Sequence, residues 1–109
     1  MTSYTVDRIR WATLNIIEQM GNIGSEVGRA IAAKQQKRSR DCQQAVIRAL
    51  DLFGATVEPL IALHSARAKE VLRSKEQFLE AIYGDVSQQY IQAVNQYFFQ
   101  YAVAARLAR

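Results

Sequence analysis

The chain of 109 residues has one proline, one cysteine, one histidine and no run of about 18 consecutive apolar residues. Each scarcity removes a class of protein. A lone Cys42 excludes an internal disulfide, and Cys42 with His64 alone supplies no metal-ligand set of the usual spacing. Neither a metal nor a cofactor is therefore expected, and Cys42 reads as a small buried apolar residue on a helix. The missing apolar span excludes a transmembrane helix, and the opening Met-Thr-Ser-Tyr-Thr-Val-Asp-Arg8 lacks the apolar centre of a secretory signal. A cytoplasmic protein without a membrane partner is expected. With Pro59 as the sole proline and few turn signals, long stretches are left free to be helical.

What is present fits that reading. Half of the residues are apolar, enough for one core, so residues 1–109 are expected to form a single all-α domain. Periodicity predicts four helices. The first spans about Thr5 to Lys34, where Ile9, Ile16, Met20, Ile23, Val27 and Ala30 follow the alternating four-and-three rhythm of a bundle seam. The second starts near Ser39 as cap, with Asp41 in its first turn, carries Cys42, Val46, Ala49 and Phe53, and is expected to stop shortly before Pro59. Residues 59–64 read either as the opening of the third helix or as an apolar connector. That third helix continues through Val71, Leu72, Phe78, Leu79 and Ile82 to Gly84, expected as a left-handed terminator. Asp85 or Ser87 caps the fourth, which runs to the C-terminus with Tyr90, Val94, Tyr97, Tyr101 and Ala104 on one face. Short connections make these an antiparallel up-and-down four-helix bundle.

Three of the five glycines fall inside the first helix, in Met20-Gly-Asn-Ile-Gly-Ser-Glu-Val-Gly-Arg29. A glycine in a helix interior sacrifices roughly 0.5–1 kcal/mol against alanine, so Gly21, Gly24 and Gly28 need a compensating contact. With Leu14, Ile17 and Ile31 they form a second seam beside the first, with a middle free of side chains. Bulky residues of the last helix, where Tyr97, Phe98, Phe99 and Tyr101 cluster, are expected to lie against them, from the same chain or a neighbouring subunit. Between helices 1 and 2, ion pairs such as Glu26 with Arg48 or Arg29 with Asp51 are expected to fix register. No nucleophile, base or metal accompanies them, so no catalytic residue is expected.

The net charge is +4, and the connection Lys34-Gln-Gln-Lys-Arg-Ser-Arg40 holds four cations without an acid. Lys34, Lys37, Arg38 and Arg40 suit phosphate contacts that do not read sequence, or a solvated turn; repetition around a symmetric oligomer would favour the first.

The stretch from Ile9-Arg-Trp-Ala through Asn22-Ile-Gly-Ser-Glu-Val-Gly-Arg29, followed by Arg48-Ala-Leu-Asp-Leu52, resembles small bacterial four-helix-bundle proteins related to the ribosomal-RNA intervening-sequence proteins. The Tyr83-Gly-Asp85 break and the tail from Tyr97-Phe98 to Ala104-Ala-Arg-Leu107 belong to the same likeness. Gly24 and Ser25 stand where that pattern has Ala-Glu, and the acid arrives at Glu26. The group is also similar to the accessory variability proteins of diversity-generating retroelements. That resemblance implies a basic bundle that forms a ring-like oligomer and works with a reverse transcriptase and RNA or DNA. A rival class, the helical HEPN nucleases and antitoxin partners, requires arginine four to six residues before histidine. Here residues 58–60, ahead of His64, are Glu-Pro-Leu, so only a relative lacking the nuclease motif fits. The expectation is a non-enzymatic homo-oligomeric adaptor for nucleic acid or a nucleic-acid enzyme, with an inactive HEPN-like component or a purely structural oligomer as alternatives.

Overall fold

The computed structural model describes residues 5–107, in which helices are the only regular elements and no strand occurs. Five helices pack together: α1 (Arg8–Trp11), α2 (Ile16–Gln35), α3 (Ser39–Ala62), α4 (Arg67–Tyr83) and α5 (Gln88–Leu107). The last helix is followed to Leu107, and the remaining residues of its expected run lie outside the described ones.

The single helix expected over Thr5–Lys34 is two helices. Asn15 has extended backbone, its side chain accepts the Glu18 N–H at 2.8 Å, and the Glu18 carboxylate accepts the Asn15 N–H at 3.1 Å. This capping box satisfies two otherwise free donors and starts α2 afresh. Ile9, assigned to the first seam, is consequently 85% exposed on the separate turn α1. That turn is tied to α3: the Trp11 indole N–H donates to Thr56 Oγ1 at 3.0 Å, and the Val6 N–H donates to Asp51 Oδ2 at 2.5 Å. Arg8 bridges Asp51 and Glu58 on the same helix.

Pro59 does not end α3, which continues through Ala62, so residues 59–62 are its last turn and 63–64 its closing turn, rather than a connector or the start of the next helix. Proline removes the one ladder bond that would reach the Ala55 carbonyl. The half-buried Leu60 packs on the core and favours another turn. The helix closes beyond it with Ser65 N–H donating to the Leu60 carbonyl and His64 N–H to that of Ile61, His64 itself sitting at φ 53°. This is a Schellman motif with histidine in the left-handed position. At the other end Ser39 does not act as cap: Arg38 occupies the N-cap position and makes no side-chain capping bond. Gly84 is not left-handed either, its φ being −84° and ψ 164°. A Cβ there would meet the Glu80 carbonyl oxygen at 2.7 Å, so close approach, not handedness, requires the glycine. Ser87 caps α5 by accepting the Tyr90 N–H at 3.0 Å.

α2 is the central element, packed most extensively on α5 and α3. Met20, Ile23 and Val27 from α2 meet Phe53, Phe78 and Phe98, one ring from each of α3, α4 and α5, all fully buried. Phe53 and Phe98 meet edge to face at 6.0 Å. Each of these side chains contributes about 1.5–3 kcal/mol by leaving water. On its other side α2 carries the glycines. A Cβ on Gly24 would lie 2.9 Å from the Phe98 carbonyl oxygen, and one on Gly21 would lie 3.3 Å from that of Tyr101. The partner is therefore α5 of the same chain, through its backbone at Gly21, through the backbone and Cβ of Phe98 at Gly24, and through the Asn95 side chain alone at Gly28.

Candidate nucleic-acid interface

The turn joining α2 to α3 closes with the same device found at His64. Arg38 N–H donates to the Ala33 carbonyl and Lys37 N–H to that of Lys34, with Lys37 at φ 59°. No glycine marks this Schellman turn, so the sequence pattern does not announce it. The geometry separates the four cations assigned to the turn. Lys34 reaches across to α4 and donates its ammonium to the Ala81 carbonyl at 2.8 Å, closing a helix end rather than facing a ligand. Arg38 pairs with Asp41 at 2.8 Å and also donates to the Gln36 side-chain oxygen. Lys37 and Arg40 are exposed and make no side-chain bond to another described residue.

A cleft of about 350 Å³ opens beside this turn, between α2 and α3. Arg29, Arg38 and Arg48 line it with Asp41 and Gln44, over a floor of Ala32 and Ala33. Below it lies Glu26, only 8% exposed, whose carboxylate takes Arg48 Nε at 2.5 Å on one oxygen and Arg29 on the other. The expected pair of Glu26 with Arg48 is present. That of Arg29 with Asp51 is not, because Val6 and, from α1, Arg8 occupy Asp51. Two guanidiniums on one carboxylate leave a positive charge at the cleft wall. The contribution of Arg29 and Arg48 to a basic surface was hidden in the sequence by their roles as register pairs, and only the hairpin of α2 and α3 brings them next to Arg38.

The charge distribution is markedly uneven. Between Glu26 and Arg48 lie six cations, Arg29, Lys34, Lys37, Arg38, Arg40 and Arg48, against two acids, Glu26 and Asp41, an excess of four. The whole chain carries +4, so the rest of the molecule is balanced and the entire excess sits at this end. A field of this form attracts polyanions without specifying a sequence. Cys42 lies half-buried here, and its thiol is pushed up by desolvation and drawn down by the nearby Lys34 charge.

The aromatic cluster of α5 divides three ways. Phe98 is in the core, Phe99 is exposed, and Tyr97 and Tyr101 turn toward α4, where both hydroxyls reach Glu70 Oε1 at 3.2 and 3.3 Å. Burial, with Tyr101 and Glu70 beside it, drives the Tyr97 hydroxyl far above its ordinary pKa. Gly21, Gly24 and Gly28 form no open groove at Gly24, where α5 fills the space. His64 closes α3 at the end opposite Ser39, about 36 Å away at 1.5 Å per residue. No arginine–histidine pair is thus assembled at the cations, and no cluster of metal-ligating side chains occurs among the described residues. No described helix is long and apolar enough to cross a membrane. Comparison of the chain with protein-family models, curated proteins and solved structures finds no match in any of the three.

Proposed function

We propose that this chain is a non-enzymatic adaptor that binds RNA or DNA through the α2–α3 end, working as a homo-oligomer beside a nucleic-acid enzyme such as a reverse transcriptase. The observation that carries the reading is the confinement of the whole positive excess to residues 26–48, around an arginine-lined cleft. Lys37, Arg38 and Arg40 supply the outer contacts, and Arg29 and Arg48 the inner wall. A single patch of this size binds phosphates weakly, and repetition around an oligomer raises the effective concentration of the remaining patches once one is engaged. The finer architecture in this reading is an antiparallel up-and-down bundle of the four long helices, with α1 as a brace on α3. The sequence resemblance to ribosomal-RNA intervening-sequence and accessory variability proteins points the same way.

The test is retention of RNA and DNA in a gel shift at low salt, comparing the parent with Lys37→Gln/Arg38→Gln/Arg40→Gln. Lys34 is left intact because its ammonium holds the Ala81 carbonyl. Binding should weaken for all sequences alike, and the slope of log affinity against log salt should shrink by about 0.7–0.9 per phosphate contact removed. No shift by the parent, or an unchanged shift by the variant, overturns the proposal.

A further inference from the structure

The outer face of α5 contrasts with that of α4. No charged residue occurs between Asp85 and Arg106, although α4, three residues shorter, carries seven. Opposite the buried Phe98, the helix presents Gln89, Gln92, Gln96, Phe99, Val103 and Leu107, with Phe99 57%, Val103 38% and Leu107 79% exposed. A solvated helix face is ordinarily laced with charge; this one has amides and apolar groups at helical spacing.

We propose that this face is where a second copy of the chain docks, α5 against α5 about a two-fold axis near Gln96. The inference rests on the homo-oligomeric part of the function proposed above and names the surface responsible. Each copy carries +4, so approach through the α2–α3 end is repulsive, and a two-fold contact sets every residue near the axis against its own kind. Charged residues so placed repel. Glutamine, with both donor and acceptor on one amide, is complementary to itself. The shape is also self-complementary. A shallow groove lined by Gln89, Gln92, Asn95 and Gln96 ends at Phe99, so an antiparallel partner places its Phe99 ring in that groove while its own groove receives the first ring. The 20 residues of α5 extend about 30 Å. With the adjoining flank of α2 at Asn22 and Ser25, a strip about 20 Å wide buries roughly 600 Å² per copy, at the lower bound for a stable interface.

Light scattering at micromolar concentration should give twice the monomer mass for the parent. It should give the monomer mass for Phe99→Lys/Val103→Lys, with unchanged helicity because both side chains are exposed. In a Cys42→Ala background, Gln96→Cys should form a disulfide-linked dimer on mild oxidation, and Lys69→Cys on α4 should not. A parent that is monomeric yet shifts RNA overturns self-association and leaves polyanion binding standing. An oligomer that keeps its mass with lysines at 99 and 103, or that fails to cross-link at 96, overturns the α5 face alone.

Discussion

The two sides of α2 solve the same problem in opposite ways. Toward α5, side chains are deleted: Gly21 and Gly24 admit the partner backbone to van der Waals distance, with no ion pair across the contact among the described residues. Toward α3, a buried carboxylate is added: Glu26 holds Arg48 across the interface and Arg29 along its own helix. The first device sets how close two helices come and tolerates nothing in the gap. The second sets register, and its worth depends on completeness, because a desolvated charge is stabilised only while its partners remain.

Four variants separate these devices. The largest effect is expected from Gly24→Leu, where even the Cβ would lie 2.9 Å from a backbone oxygen that cannot rotate away. Overpacking against backbone should destabilise the chain by about 3 kcal/mol, read as a lowered midpoint in urea unfolding. A variant of parental stability would show the α2–α5 seam to be loose. Next, Arg48→Ala should destabilise by about 1.5 kcal/mol, since Glu26 keeps Arg29 and Arg48 is itself partly exposed. The double change Glu26→Leu/Arg48→Leu should return to within about 1 kcal/mol of the parent, because the charge goes with its partner. If the double variant is worse than the single one, the polar centre adds stability as well as register. The smallest effect belongs to Gly28→Ala. A Cβ there meets only Asn95 Oδ1, at 3.7 Å, so relief of glycine's entropy should raise stability by about 0.5–1 kcal/mol. A loss would extend the tight seam one turn further than the geometry does.

The glycine seam was legible in the heptad rhythm because a missing side chain in a helix interior needs a reason, and close approach is the commonest one. The break at Asn15 was not, since Trp11, Leu14 and Ile17 keep helical spacing across it and mask it. The signal was nevertheless there: asparagine followed three residues later by glutamate, just before an apolar run, is a capping box. Pro59 misled for the reverse reason. The bias against helix before a proline is local, and the packing of Leu60 outweighed it. The basic end was half legible. Lys37, Arg38 and Arg40 stood together in the chain, whereas Arg29 and Arg48 join them only through the hairpin, and Lys34 leaves them for a carbonyl on α4. Glycine-free helix ends at Lys37 and His64 gave no warning, because both terminators adopt a conformation that their residue types seldom take.

The brace on α3 has a consequence for anyone who follows this protein by light. Trp11 is its sole tryptophan, and it sits on α1, a single turn held by the indole bond to Thr56, the ion pairs of Arg8 with Asp51 and Glu58, and its packing on the core. Indole emission therefore reports whether the N-terminal turn is seated, while far-ultraviolet dichroism reports the long helices. A short element with few anchors opens before a buried core does. The two signals should part company under mild denaturant, the fluorescence moving first, and a single-transition fit to the emission would measure the latch and not the bundle.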